Sequence, residues 1–258
     1  MLDLQLQGAV VLITGGASGI GEAAARGFAQ QGAIVTLLDR QYSQAEALAT
    51  ALNAEGAMAL AVNADVTDET AIAKAVEQIV AWQGKLDIVL CCAGISGPVG
   101  VLVPDMAPPD WEKVIAVNLN GLFYTARHTV PWLEQSSLGG FIILASDSSF
   151  LAYPGMAPYS VTKAGALMFA KALAVDHPKL RVNCICPSVV DTPMSRADLG
   201  LTTAQMQEAG FPVIMPSQLV NHILFMASPL SSPMNAASVV VDFGYMVRPS
   251  FPQPDFIK

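Results

Sequence analysis

Residues 10–21, VVLITGGASGIG, limit what this chain can fold into more than any other stretch. The apolar run Val10-Val11-Leu12-Ile13 reads as a buried strand, Thr14-Gly15-Gly16 breaks it, and Glu22, Ala23 and Ala24 beyond Gly21 favour a helix. Strand, glycine turn and helix in this order make a phosphate site. Glycine admits positive φ and lets an anion approach without meeting a Cβ, and the free N–H groups of the following helix point at that anion. The spacing Gly15-x3-Gly19-x-Gly21 differs from the G-x-G-x-x-G fingerprint, so the turn alone also fits an ordinary tight bend and the rest of the chain has to decide.

The same alternation repeats downstream. A helix to about Gln31 leads to the apolar run 33–38, which ends at Asp39. Residues 43–55 read as a helix, 57–62 as a short strand, and 63–68 as the loop and N-cap of a helix to about Gln83. A buried strand over 86–92 closes at Ala93-Gly94. A long helix from Asp110 carries Trp111, Val114, Asn118, Leu122 and Thr125 at helical spacing, with Pro131 bending its end. A strand over 140–145 runs into Ser146-Asp147-Ser148-Ser149, followed by a helix over 158–176 and a strand over 180–186. An irregular stretch to about Met215, a helix to Ala227 and a strand over 238–241 complete the series. Seven strands joined by six mostly helical crossovers predict an α/β fold: a single-domain, doubly wound parallel seven-stranded sheet with helices on both faces and ligands beyond the strands' carboxyl ends.

At 258 residues the chain suits one domain, set here at 1–247, with a tail over 248–258 whose Pro249, Pro252 and Pro254 follow no helical or strand pattern and which is expected to drape over the surface or a neighbouring subunit. Hydrophobic residues make up 53% and charged residues 13%, more apolar surface than a monomer of this size readily hides. No apolar run reaches the ~18 residues of a membrane span, so the excess points to subunit contacts and a homo-oligomer. A net charge of −8 without a basic stripe argues against nucleic acid as a partner. The first strand begins too close to Met1 for a signal sequence, so the expected location is cytoplasmic. Cys91-Cys92 and Cys184-x-Cys186 end apolar runs, lack C-x-x-C spacing and have no histidine at ligand spacing; they read as small hydrophobes, and no metal is expected. His128, His177 and His222 read as helix-surface or helix-end residues.

Asp39, about 20 residues beyond the glycines, is placed to accept hydrogen bonds from an adenosine ribose, which favours NAD over a cofactor bearing a 2′-phosphate. Arg40 leaves a second reading open, since a guanidinium there would clasp that phosphate or stack on adenine. Tyr159 and Lys163, four apart in a helix, share one face. An ammonium a few ångströms from a phenol favours the phenolate and makes tyrosine usable for proton transfer near neutral pH. Any Tyr-x-x-x-Lys in a helix has this geometry, and an ordinary solvated contact is the commoner outcome. Here Ser146 ends a strand thirteen residues before Tyr159, and Asn118 is an amide within an otherwise apolar helical stretch.

TGGASGIG, Asp39, Asp65-Val66, Ala93-Gly94, Asn118, Ser146, Tyr159-x-x-x-Lys163 and a turn led by Pro187, in this order and spacing, resemble the short-chain dehydrogenase/reductase family from about Gln7 to Gly244. The resemblance implies a Rossmann-type sheet, a nicotinamide cofactor and hydride transfer to or from a secondary alcohol or its ketone. It implies that Tyr159 is the acid/base, that Lys163 lowers the Tyr159 pKa and holds the nicotinamide ribose, that Ser146 bonds the reacting oxygen and that Asn118 positions a water for a proton relay. It matches Gly15, Ser18, Gly19 and Ile20 to the pyrophosphate turn, Asp39 to the adenosine ribose, Asp65 with Val66 to the adenine edge, Ala93 and Gly94 to the cofactor wall, and Val190 and Thr192 to the nicotinamide carboxamide. A homotetramer is the assembly it implies. Three departures stand out: Cys91-Cys92 where the family has two asparagines, Pro187-Ser188 for Pro-Gly, and Asp242-Phe243-Gly244 for Asp-Gly-Gly.

Residues 194–215 correspond to the family's substrate lid. Its Met194, Leu199, Leu201, Met206, Phe211 and Met215 predict an uncharged, fairly bulky, apolar substrate, with Phe150, Tyr153 and Met156 on the opposite wall; packing of the lid residues on one another is the equal alternative. The leading reading is an NAD-dependent dehydrogenase. The alternatives are a carbonyl reductase of 3-oxoacyl type using NADPH, or a catalytically silent dinucleotide-binding protein.

Overall fold

In the computed structural model, which describes residues 3–247, seven strands form one parallel sheet in the order β3-β2-β1-β4-β5-β6-β7. The strands are β1 (Val10–Thr14), β2 (Ile34–Asp39), β3 (Met58–Asn63), β4 (Ile88–Cys91), β5 (Gly140–Leu144), β6 (Arg181–Pro187) and β7 (Ser238–Val241). The period of two in a strand divides β1 between two cores: Val10 and Leu12 pack on one face, Val11 and Ile13 on the other. On the first face lie α3 (Glu69–Gln83), α5 (Gly121–Leu133) and α6 (Ala157–Asp176), contributing Ile72, Ile79, Leu133 and Leu173 among others. The second is covered by α1 (Gly19–Gln30), α2 (Tyr42–Ala54) and α9 (Pro216–Ala227) through Phe28, Leu52, Leu219 and Ile223. Side chains of this size contribute about 1.5–3 kcal/mol each when fully buried, so the central strands are held from both sides.

The predicted strands and crossovers are all present. Asp68 caps α3 by accepting from the Ala71 N–H at 3.0 Å, and Gly84 ends it in the left-handed conformation. Two stretches differ from the sequence reading. The long helix predicted from Asp110 begins earlier, as α4 (Pro108–Ile115), and continues through a π turn at Ala116–Asn120 into α5, so the extra residue per turn falls on Asn118. The stretch predicted as irregular holds two short helices, α7 (Pro193–Leu199) and α8 (Thr203–Gln207). Each opens on a reciprocal capping box, Thr192 with Ser195 and Thr202 with Gln205, a signal whose short helices are too brief to show apolar periodicity. The tail over 248–258 lies outside the described residues. No helix among the described residues is long and apolar enough to cross a membrane.

Candidate active site

β1 has β2 on one side and β4 on the other, so the chain's winding reverses at the carboxyl ends of β1 and β4 and opens a crevice there. A cavity of about 610 Å³ fills it, reaching from Asp39 and Asp65 at one end to Tyr159, Met194 and Phe211 at the other. The glycine turn forms its floor. A Cβ on Gly15 would stand 2.8 Å from the Ala93 backbone, and one on Gly21 would stand 2.0 Å from the Gly15 carbonyl oxygen, so only glycine allows the turn to pass this close. Ser18 at the N-cap of α1 makes no side-chain cap, which leaves first-turn N–H groups for an acceptor in the cavity, where Gly19 and Ile20 also lie. The donor set therefore fits a pyrophosphate.

Asp39 is buried at the end of β2, where its carboxylate accepts from the Ala17 N–H at 3.0 Å and the Gln41 N–H at 2.9 Å. It thereby ties the glycine turn to the strand that would carry the ribose. Arg40 is exposed and stands 4.0 Å from Asp65, whose carboxylate also accepts from Thr67. Val66, Ala93, Gly94, Val190 and Thr192 all line the cavity.

At the opposite end Tyr159 and Lys163 project from α6 toward the tip of β5. The Lys163 Nζ donates to the Leu144 carbonyl at 2.8 Å and sits 5.5 Å from the centre of the Tyr159 ring. Burial pulls the Lys163 pKa down to about 8 and pushes the Tyr159 pKa up to about 12. Hydrogen bonding with the Ser146 side chain draws the phenol back down, while the charges of Asp147 and Asp198 push it further up. The lowering expected from the Lys163 ammonium is not among the influences on the phenol; burial leads and the net direction is upward. Ser146 accepts from the Ser148 N–H at 3.1 Å and donates to Asp147 at 2.9 Å, and Asp147 accepts also from the Tyr153 hydroxyl at 2.9 Å.

Asn118 lies behind this constellation rather than in the wall of the main cavity. Its amide exchanges two 2.9 Å hydrogen bonds with the backbone of Ile95 and donates to Thr162 at 3.1 Å, pinning the loop after β4 to α6. Together with Lys163 it lines a second cavity of about 10 Å³, close to what one water requires.

Two of the predicted substrate residues are misplaced. Met206 is 1% exposed and faces the protein interior from α8, and Phe150 is 49% exposed on the outer surface; neither borders the cavity. In both cases the apolar side chain is absorbed elsewhere, Met206 by packing and Phe150 by the 3-10 turn that follows Ser146, which swings it outward. Met194, Phe211, Tyr153 and Met156 do border it. The sequence reading did not single out Ser96, Asp147, Asp198 or Tyr245, which line the same cavity; the SDSS run beside Ser146 was the available signal for Asp147.

Two of the three departures have local substitutes in the structure. Cys91 is buried in one apolar core and Cys92 borders the cavity with its pKa raised by burial to about 12, while the β4 end is held instead by the Cys92 N–H on the Thr14 carbonyl and the Ala93 N–H on the Thr14 hydroxyl. Ser188 takes no positive φ, so the turn after Pro187 does not need glycine. Among the described residues no group of three or more His, Cys, Asp or Glu side chains is arranged to hold a metal ion.

A family model for short chain dehydrogenase matches residues 9–199. The chain belongs to the short-chain dehydrogenase/reductase family. A 3-oxoacyl-(acyl-carrier-protein) reductase of Thermotoga maritima is 30% identical over 95% of this chain and 100% of its own. A mitochondrial borneol dehydrogenase of Lavandula x intermedia is 34% identical over 94% of this chain and 92% of its own. Among solved structures, a 3-ketoacyl-(acyl-carrier-protein) reductase from Brucella melitensis complexed with NADH superposes with a TM-score of 0.84 at 29% identity, covering 93% of this chain and 99% of that one. The short-chain dehydrogenase/reductase described here is thus an oxidoreductase of a family whose members bind nicotinamide dinucleotides.

Proposed function

We propose that this protein is an NAD-dependent oxidoreductase that interconverts a secondary alcohol and its ketone, on a substrate with a bulky apolar body. The observation that carries this is the single cavity joining a glycine turn fit for pyrophosphate to the Tyr159 hydroxyl, with Ser146 and Lys163 beside it. Gly15, Ser18, Gly19 and Ile20 would hold the pyrophosphate, Asp39 the adenosine ribose, Asp65 and Val66 the adenine edge, and Lys163, Val190 and Thr192 the nicotinamide end. When bound, a nicotinamide supplies or accepts the hydride.

The protein's own part is proton transfer. Tyr159, protonated and dry, gives its proton to a carbonyl oxygen as negative charge grows there, and takes one back in the reverse direction. Ser146 donates a second hydrogen bond to the same oxygen by turning away from Asp147. Lys163 contributes positive charge beside the phenolate that remains, and the small cavity between Lys163 and Asn118 supports a water-borne path that restores the proton. Met194, Leu199 and Phe211 supply the apolar wall.

The choice of NAD rests on Asp39, a carboxylate at the end of β2 that would repel a 2′-phosphate on the ribose it is proposed to hold, and on the lack of any Lys or Arg within the glycine turn. Homo-oligomerisation, as a tetramer, is supported by the exposed Phe123 on α5 and Val161, Met168 and Val175 on α6. A screen of secondary alcohols and ketones read by reduced-cofactor absorbance tests the activity. Turnover of at least one ketone, with NADH bound more tightly than NADPH in a fluorescence titration, is the expected result. Tighter NADPH binding would overturn the cofactor choice.

A further inference from the structure

The reacting end of the cavity is more acidic than proton transfer requires. Asp198, on the lid helix α7, lines it and accepts from the Ser96 hydroxyl across the mouth at 2.5 Å, a contact spanning 102 residues of sequence. Its second oxygen accepts no hydrogen bond among the described residues. Asp147 is 4% exposed beneath, lines the same cavity and holds Ser146 and Tyr153. Of the positive charges nearby, Arg196 of the lid is paired with Asp191 at 2.6 Å, whereas Lys163 donates to the Leu144 carbonyl and keeps its charge on the Tyr159 side. Both carboxylates act on the Tyr159 phenol, which puts their field at the place where substrate reacts.

We propose that Asp198, backed by Asp147, is the specificity residue of this site: its open oxygen takes an N–H or O–H donor carried beside the reacting carbon, and the pair of charges turns away substrates bearing a free carboxylate. This rests on the oxidoreductase reading and narrows it. The apolar wall of Met194, Leu199 and Phe211 binds the body of the molecule, and the acidic side reads its neighbouring polar group. A carboxylate brought within about 8 Å of another at an effective dielectric near 20 binds about 30-fold more weakly, which sets the expected discrimination.

Mandelamide, methyl mandelate and mandelate test this, being one secondary alcohol with a donor, without one, and with a negative charge. Their affinities are measured by calorimetry on the full-length protein with NADH present, which blocks oxidation, so the ratios are read whether or not the alcohols are turned over. The expected order is mandelamide, then methyl mandelate, then mandelate, with at least about a 30-fold gap between first and last. In Asp198→Asn that gap should shrink to about 3-fold, whereas Ser96→Ala, which frees the carboxylate from its latch but keeps its charge, should preserve it. Equal binding of mandelate and mandelamide by the unmodified protein would overturn the proposal. So would a uniform loss for all three in Asp198→Asn, collapse of the gap in Ser96→Ala, or no binding of any probe. The ratios holding while none of the alcohols is oxidised with NAD would count against the oxidoreductase reading alone.

Discussion

Replacing Lys163 with methionine is expected to make the protein more stable while removing its activity. Lys163 is 7% exposed, and burial lowers its pKa from 10.5 to about 8, so at pH 7 it is charged in a place that disfavours charge. At about 1.36 kcal/mol per pKa unit that fall corresponds to about 3 kcal/mol of destabilisation. Methionine fills a similar volume without charge but gives up the 2.8 Å hydrogen bond to the Leu144 carbonyl, which returns about 1 kcal/mol. The net gain at pH 7 is about 2 kcal/mol. Its pH dependence identifies the cause. Below pH 8 lysine is protonated in both folded and unfolded chains and the full penalty is present. Between pH 8 and 10.5 the folded protein has released the proton and the unfolded chain still holds it, so the native protein gains stability relative to the variant and the difference closes. Tyr159 titrates in both proteins and cancels. Urea unfolding of the two at one protein concentration, at pH 7 and at pH 10, reads the effect. A methionine variant less stable than the native protein at pH 7, or a difference that does not narrow toward pH 10, would refute the reasoning.

Further outcomes follow from the same geometry. Asp39→Ala should raise the use of NADP relative to NAD in paired kinetic assays, because it removes the carboxylate proposed to hold the adenosine ribose; an unchanged ratio would assign the preference to Arg40 or another group. Asp198→Asn should move the formation of the Tyr159 phenolate to lower pH, since Asp198 holds that proton on. The phenolate absorbance difference between proteins with and without Tyr159 measures it, and a shift to higher pH would contradict the assignment.

The strands and most crossovers were legible because local signals mark them: short apolar runs, closed at β1 by Gly15, at β2 by Asp39 and at β4 by Ala93-Gly94, and the Asp68 cap ahead of α3. Gly15, Asp39, Ser146 and Lys163 could be placed together because strand ends in such a sheet converge at one crevice whatever the lengths of the intervening helices. What failed was anything set by how a side chain leaves its own turn. Phe150 and Met206 have the composition of a substrate wall, but a 3-10 turn sends one outward and a five-residue helix sends the other into the interior. The high pKa of Tyr159 was hidden for a related reason: the spacing from Lys163 is readable in the chain, but the extent of desolvation and the approach of Asp198 from 39 residues later are not.

The account depends on Tyr159 handing a proton to an oxygen whose carbon exchanges hydride with the nicotinamide, and isotope transfer measures this most directly. With NADH deuterated at C4 and a ketone taken from the activity screen, the native protein should place deuterium on the carbinol carbon. Tyr159→Phe should bind the cofactor with unchanged affinity and transfer it at least about a thousand-fold more slowly. Deuterium transfer at the native rate in Tyr159→Phe, or a product without the label, would contradict the account.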